Sequence, residues 1–474
     1  MTLTDPAAHS ALDSTKWREL FCGVDVRVPV AGGATAPYVN LDNAASTPPL
    51  RAVRDAVHRM ADIYSSVHRG TGYKSLLSTS LYEEARRTVA AFLGVDEATQ
   101  SVVFVKTTTE ATNLVAGVLA RRGGGCVVTT AMEHHANLLP WRHRLETVVV
   151  GVDDSGRIDL AQMERVLAER SGEVALVAVC GASNVTGVVT PIHDIAAMAH
   201  RGGARIFVDA AQLAPHHRID MRPASDPTHI DFLALSAHKL YAPYGSGVLV
   251  GPDDFFTGPP GLMGGGAVDV VTPTETVWSA MPDREEAGSP NVIGAVALAV
   301  AVDEVRRIGF EAVEEHELSL ARWVVDGLRD LPGVRCLGPS WDDSAVDRLG
   351  LVSLEIEGFH NGLVAAALSW EWGIGVRHGC FCAHPYLMSL LGLSPERVDA
   401  LRDEVVAGRR SELPGAVRVS FAPYNTAAEA DLVVSAIRSI ATAGPREEYR
   451  RDAHGEFLPA GGWPPLPGLD TLRR

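Results

Sequence analysis

A lysine beside a histidine, His238-Lys239 in "DFLALSAHKLYAPYGSGVLVG" (231–251), sits in a turn of small residues between two apolar runs with the composition of buried strands. A lysine drawn into a protein interior costs free energy unless it is paired, neutralised or used covalently, so this placement asks for a chemical reason. Residues of matching reactivity follow other apolar runs. Glu133, His134 and His135 come after "CVVTTAM", Asn184 after "VALVAVCGAS", and Ser236 and His238 after "DFLAL"; Asp209 ends "RIFVD", with Gln212 three residues on. Each has an ordinary structural reading, Asp209 as a helix cap, His134 as a surface turn residue, Asn184 as a turn former. In an open parallel sheet, however, residues just past the C-terminal ends of strands share one crevice. An acid, an imidazole, two amides and a lysine would then meet there.

The elements that would place them alternate in type. "SVVFVKT", "GCVVTTAM", "VALVAVCGAS", "RIFVDAAQ", "DFLALSAHK" and "SGVLVG" read as strands, and "EATNLVAGVLARR", "LAQMERVLAER" and "IHDIAAMAHRGG" as helices. This βαβ series predicts an α/β fold, a mostly parallel sheet covered on both faces, over roughly residues 80 to 260. From about residue 300 the long helical patterns "NVIGAVALAVAVDEVRRIG" and "EEHELSLARWVVDGLRDL" precede scattered strands, "LVSLEIEG" and "AVRVSFAP", which predicts a smaller α+β domain. The expected organisation is an N-terminal extension (1–37), a large domain (38–295), a small domain carrying a cysteine loop (296–442) and a Pro/Gly-rich tail (443–474) whose end, "FLPAGGWPPLPGLDTLRR", reads as irregular.

"KTTTEATN" (106–113) leaves a strand and opens a helix, so its threonines set hydroxyls and backbone N–H groups at a helix N-terminus, where an anion is favoured. Thr107 and Glu110 also fit a capping box, the purely structural alternative. Lysine, aspartate and a helix-end phosphate cradle together fit pyridoxal phosphate. Lys239 would hold its aldehyde covalently, and Asp209 would keep its ring nitrogen protonated.

Composition narrows the class. The chain has 474 residues, 46% hydrophobic and 21% charged, as expected for a globular enzyme with ample core. A formal net charge of −16 argues against nucleic acid or an anionic membrane surface as partner. The N-terminal "MTLTDPAAHSALDSTKWREL" has no apolar signal core, and the run from Val292 to Val302 is too short to span a bilayer. Six cysteines in such a length make no disulfide framework, so a reducing, cytoplasmic location is expected.

The ordered motifs "LDNAASTPP", "VHRGTGYKS", "TTTEATNLVA", "MEHHANLLPW", "SNVTGVVTPI", "VDAAQ", "SAHKLYAPYGSGVL", "EAGSPN", "RHGCFCAHP" and "VRVSFAPYNT" cover about residues 38 to 440. In this the sequence resembles the class V, fold-type I pyridoxal-phosphate enzymes, and among them the SUF-type cysteine desulfurases and selenocysteine lyases. The resemblance implies that His134 stacks on the cofactor ring, Asp209 pairs with the ring nitrogen and Gln212 lies near the phenolic oxygen. It implies a phosphate site of Thr108, Thr109, Ser236 and His238, completed by Ser289 from the other subunit of a homodimer. It further implies that Asn184 and Arg418 meet the carboxylate of a small amino-acid substrate, with Arg377 a second guanidinium near the mouth.

Desulfuration needs a thiolate that attacks the substrate sulfur, leaving an enzyme persulfide and alanine, with L-cysteine the substrate and a protein sulfur acceptor a possible partner. In SUF-type relatives the loop reads approximately R-T-G-H-H-C, and Cys382 is likewise five residues after Arg377. Flanking Arg377, His378 and His384 would favour its thiolate. The sequence departs from that pattern at His378, Cys380 and Phe381, in a longer stretch before "VRVSFAPYNT", and at Thr107, where glycine is usual. Three alternatives stand beside this reading: zinc on Cys380, Cys382 and the flanking histidines, although Cys-x-Cys is a poor chelate; two inert thiols; or a class V aminotransferase, epimerase or C–S/C–Se lyase in which Cys382 is incidental.

Overall fold

The computed structural model describes residues 14–153, 155–408 and 413–464; the first residues of the N-terminal extension and the last ten of the tail lie outside them. Seven strands form the central sheet: β1 (Gln100–Val105), β2 (Cys126–Thr130), β3 (Thr147–Val150), β4 (Val174–Cys180), β5 (Arg205–Asp209), β6 (Phe232–Ser236) and β7 (Gly247–Pro252). Their order is β1-β7-β6-β5-β4-β2-β3. All are parallel except β7, which runs antiparallel to both of its neighbours. The central strands are buried along nearly their whole length, as their unbroken Val, Ile, Leu and Phe content requires of a sheet covered on both faces.

The expected helices form at Thr108–Arg121, Leu160–Glu169 and Ile192–Arg201. Two further helices, Arg51–Ile63 and Tyr73–Leu93, pack with Val292–Ile308, which runs unbroken and lends Ala297, Leu298, Ala301, Val302 and Val305 to the core of the sheet. A second body is built on four antiparallel strands, β8 (Val334–Cys336), β9 (Leu351–Ile356), β10 (Arg377–Gly379) and β11 (Ala416–Ser420), ordered β8-β9-β11-β10. Helices Phe310–Leu328, Asn361–Trp372 and Ala427–Ala443 cover it. Val39 and Leu41, early in the chain, belong to this second core, because Val39–Asn40 pairs in parallel with Ile374–Gly375.

The tail departs from the irregular reading. Tyr449–Arg451 and Phe457–Pro459 pair as an antiparallel hairpin. It is held by its aromatic residues rather than by strand length: Phe457 packs on His360, Trp463 lies edge-on to Trp370, and the Tyr449 hydroxyl donates to Glu371 Oε1 at 2.9 Å. Proline and glycine here punctuate a docked hairpin, and its turn reaches the cleft described next. The stretch before "VRVSFAPYNT" is largely helical, at His384–Leu390 and Pro395–Val406.

Candidate active site

Parallel order brings the C-terminal ends of β1, β2, β4, β5 and β6 to one edge, and register aligns their last residues. Cys180 is opposite Asp209, Asp209 opposite Ala234, and Gly247 lies between Val105 and Ser236. A cavity of about 780 Å³ opens there, lined by His134, Asn184, Asp209, Gln212, Ser236, His238 and Lys239 from the sheet side and by Arg377, Cys382 and Arg418 from the second body. Thr107, Thr108 and Thr109 close its end. Of the residues expected from sequence, Ser289 is exposed and outside this cavity, and Glu133 and His135, which flank His134, do not line it.

The threonine turn is a cradle rather than a closed cap. Thr107 caps no N–H with its side chain, and Glu110 instead accepts from the Lys106 N–H, so the capping box that is the alternative to a cradle does not form. Thr108 N–H donates to Ser236 Oγ at 3.0 Å, and the two hydroxyls lie 2.9 Å apart. Gly247 is required behind this turn, because a Cβ there would come within 2.7 Å of the Leu235 carbonyl and 3.0 Å of Thr107 Cα. His238 completes the wall, its Nδ1 3.3 Å from Ser46 Oγ, while its carbonyl accepts from Thr47 N–H at 3.0 Å.

Asp209 is buried, its Oδ1 accepting the Ala211 N–H at 3.0 Å, and burial raises its carboxyl above the usual range, with the Lys239 ammonium acting in the opposite sense. A buried carboxylate of this kind fits a protonated ring nitrogen. Gln212 is held by its Nε2 donating to the Ala44 carbonyl at 2.8 Å. His134 accepts the Ala136 N–H on Nδ1 at 3.1 Å, which makes the ring neutral with its proton on Nε2. Burial first, and Lys239 second, push it down to about 4, so a flat uncharged ring faces the cavity at neutral pH. Behind it Glu133, fully buried, accepts from Thr130 Oγ1 at 2.5 Å and Asn137 Nδ2 at 2.6 Å, and burial lifts it to about 8; sequence reasoning gave this residue no role.

Burial brings the Lys239 ammonium down to about 8, Asp209 opposing and Arg418 adding to the shift. A free amine is the form that captures an aldehyde, and it exists above that value. Reconstitution of apoenzyme with pyridoxal phosphate, followed by stopped-flow absorbance, is therefore expected to accelerate as pH rises toward about 8 and to level off beyond it. A rate that is flat across this range would remove the depressed amine from that step.

Arg377 and Arg418 lie directly opposite one another on β10 and β11, a like-charge pair that costs free energy unless it is bridged. Asp42 bridges it, its Oδ2 3.3 Å from Arg377 Nε and its Oδ1 3.3 Å from Arg418 Nη2. Arg418 is buried, donates to the Asn184 carbonyl at 2.8 Å, and is brought down to about 10 by burial. Its Nε is buried without a hydrogen-bond partner, an orphan donor that suits a carboxylate ligand. Arg377 stands half exposed at the mouth.

The two neighbouring cysteines differ sharply. Cys380 is half buried, its thiol donates to the Pro414 carbonyl at 3.0 Å, and burial lifts it to about 11. Cys382 is exposed to the cavity. Phe381 and Cys382 both take left-handed backbone conformations, φ 52° and 55°, which cost about 1–3 kcal/mol each in non-glycine residues. Three contacts hold the loop against that strain: Asn184 Nδ2 donates to the Phe381 carbonyl at 2.7 Å, His135 N–H donates to the Cys382 carbonyl at 2.7 Å, and the Arg418 guanidinium lies 5.0 Å from the centre of the Phe381 ring. The flanking groups have other engagements. Arg377 pairs with Asp42, His378 faces Asn361 and Glu456, and His384 stacks on His135 at 4.8 Å. Beyond the loop, the hairpin turn His454-Gly455-Glu456 lines the mouth, a contribution that no spacing in the sequence announces.

The sequence profile of the Aminotransferase class-V family matches residues 39–433. "Probable cysteine desulfurase 1" of Mycobacterium leprae is 36% identical over 418 residues, 86% of this chain, which spans 63% of that relative's length. "Cysteine desulfurase" of Dickeya dadantii is 36% identical over 418 residues, 85% of this chain and 92% of the relative. Among solved structures, the apo cysteine desulfurase of Thermococcus onnurineus NA1 superposes with TM-score 0.74 at 33% identity over 85% of this chain and 94% of that one. The cysteine desulfurase CsdA (S-sulfonic acid) of Escherichia coli superposes with TM-score 0.75 at 28% identity over 90% and 98%. Profile, relatives and architecture agree that the chain belongs to the class-V aminotransferase family, a family of pyridoxal-phosphate-dependent enzymes of fold-type I whose members matched above bear the name cysteine desulfurase.

Proposed function

We propose that the protein is a cysteine desulfurase that binds pyridoxal phosphate through Lys239 and takes sulfur from L-cysteine onto Cys382. The observation that carries the proposal is the exposed Cys382 thiol on a pinned loop in the same cavity as Lys239 and Asp209. The residues present fit the cofactor: a cradle of Thr108, Thr109, Ser236 and His238 for the phosphate, Asp209 for the ring nitrogen, Gln212 for the phenolic oxygen, and the neutral His134 ring to stack. When bound, pyridoxal phosphate supplies an electron sink for the substrate fragment.

The chain's own residues do the remainder. Arg418, with its unpartnered Nε, and Asn184 take the substrate carboxylate, and Arg377 guides it at the mouth. The Cys382 thiolate attacks the substrate sulfur, an S–S bond forms, the Cβ–S bond breaks, and the electron pair left on carbon is protonated to give alanine while Cys382 carries the persulfide. Lys239, poised near 8, is suited to move that proton. Ser289 is assigned to the phosphate of a partner subunit in a homodimer, which agrees with its exposure away from its own cavity. A protein sulfur acceptor would meet Cys382 at a mouth bounded by Arg377 and the hairpin turn. Among the described residues no helix is long and apolar enough to cross a membrane, which is compatible with a cytoplasmic site of action.

The test is incubation with L-cysteine and a reductant. Sulfide and alanine in equal amounts are expected; amine transfer to a 2-oxo acid without sulfide would instead make the enzyme an aminotransferase. Asp209→Asn keeps the size of the side chain and removes its charge, so it is expected to bind pyridoxal phosphate more weakly and to lower turnover roughly 100-fold or more, the scale of removing one preorganised electrostatic partner. Cofactor titration and sulfide release measure both, and near-normal turnover would free Asp209 from this role.

A further inference from the structure

At the opposite edge of the sheet from the cavity, we propose that His200, His229 and Asp231 form a binding site for a transition-metal dication of the zinc class. His200 lies in the last turn of the helix Ile192–Arg201, His229 in the loop before β6, and Asp231 immediately precedes that strand. One ligand atom from each lies within 4.8 Å of the others.

Hydrogen bonding fixes which ring nitrogens are available. His200 Nδ1 lies 2.7 Å from the Pro227 carbonyl and His229 Nδ1 lies 2.7 Å from the Asp226 carbonyl. A carbonyl only accepts, so both Nδ1 atoms carry protons, and the Nε2 atoms are the ones left to meet a ligand between the rings. That backbone-anchored tautomer is the one metal-ligating histidines use. Both Nε2 atoms point at the Asp231 carboxylate, which also only accepts: His200 Nε2 is 2.9 Å from Oδ2 and His229 Nε2 is 3.5 Å from Oδ1. The rings stack 4.2 Å apart at 21°. Two imidazole Nε2 atoms and a carboxylate thus face one point, where a dication would take the place of the ring protons.

The spacing suits such an ion. Zinc bonds of about 2.0–2.1 Å in a tetrahedron set ligand atoms roughly 3.3–3.5 Å apart; the 3.5 Å His229–Asp231 distance matches that spacing, and the 2.9 Å His200–Asp231 hydrogen bond would open by a few tenths of an ångström to admit the ion. Asp231 is itself oriented from behind, its Oδ2 accepting the Ile206 N–H at 2.9 Å. The nearest cation, Arg205, has its Nε 3.9 Å from Oδ1 but is drawn aside by Asp254, whose Oδ2 accepts from Nη2 at 2.7 Å, and by the Phe255 ring. Two histidines and a carboxylate leave a fourth position for water, and the low sulfur content of the set favours zinc or cobalt over copper(I). The ion would tie the helix Ile192–Arg201 to the bases of β5 and β6, the strands that carry Asp209 and lead to Lys239.

Cobalt(II) is the probe, added to holoenzyme that has been treated with a chelator and desalted. One equivalent per chain is expected to be retained, with d–d bands of a tetrahedral nitrogen/oxygen site and no thiolate-to-cobalt charge transfer. Zinc is expected to raise Tm by several degrees through binding to the folded state alone. His229→Gln and, separately, Asp231→Asn should retain no cobalt and lose the zinc-dependent rise in Tm, while keeping the visible cofactor spectrum. Using two variants separates loss of the site from loss of the fold. Absence of retained cobalt in the wild type, equal retention in both variants, or charge-transfer bands that place the ion on the cysteine loop would each overturn the assignment.

Discussion

Lys239→Ala is expected to purify without visible absorbance and to lose turnover by roughly three orders of magnitude or more, the scale of deleting a nucleophile on which the other groups depend. The reason is geometric. Lys239 occupies the turn after β6, inside the cavity, with its ammonium brought down to about 8 by burial, and no other described lysine lines that cavity. Borohydride treatment of the wild type should bleach its visible band and leave a reduced cofactor adduct on the peptide containing Lys239. Apparent affinity for pyridoxal phosphate should fall less steeply than turnover, since the threonine cradle, Ser236, His238 and Asp209 are untouched. A colourless Lys239→Ala that still releases sulfide would overturn the assignment.

Cys382→Ser should give the opposite pattern, an unaltered visible spectrum and retained L-cysteine binding with persulfide formation abolished and sulfide release lowered by at least roughly 100-fold. Only one atom changes. Serine keeps the loop's shape, including the left-handed backbone that His135 and Asn184 stabilise through the carbonyls of Cys382 and Phe381. Cys380→Ser is the control: its thiol is tied to the Pro414 carbonyl and pushed up to about 11, so it is a poor nucleophile at neutral pH and its loss should be mild. Mass spectrometry after one turnover should find the added sulfur on Cys382. If the wild type carries no adduct and Cys382→Ser remains fully active toward its best amino-acid substrate, the desulfurase reading gives way to an aminotransferase or lyase.

Legibility followed sequence distance. Strand ends and the residues just past them were readable because a βα unit is local: an apolar run, a polar turn and a helical pattern occur in order, and parallel sheets gather such turns at one edge. That is why His134, Asn184, Asp209, Ser236, His238 and Lys239 are legible together in the sequence. The spacing from Arg377, taken with the family resemblance, singled out Cys382. The capping pattern at Thr107 and Glu110, the structural alternative to the cradle, is not taken up, since Thr107 caps no N–H and Glu110 accepts from Lys106 instead. Local reading missed the final hairpin, whose proline and glycine content resembles disorder until its aromatic residues find the helix Asn361–Trp372.

The sequence by itself therefore determined the α/β class, the smaller α+β companion, and which residue types line the cavity floor, because periodicity and turn composition act over a few residues. Tertiary structure alone decided the rest. It set Asp42 between two arginines that oppose each other across β10 and β11, and it gave two cysteines two residues apart opposite characters, one bonded to a distant carbonyl and the other facing the cavity. It brought the His454-Gly455-Glu456 turn to the mouth. Each of these depends on contacts between segments far apart in the chain, whose partners are chosen by packing and by the need to neutralise or satisfy buried polar groups, and no local pattern encodes that choice.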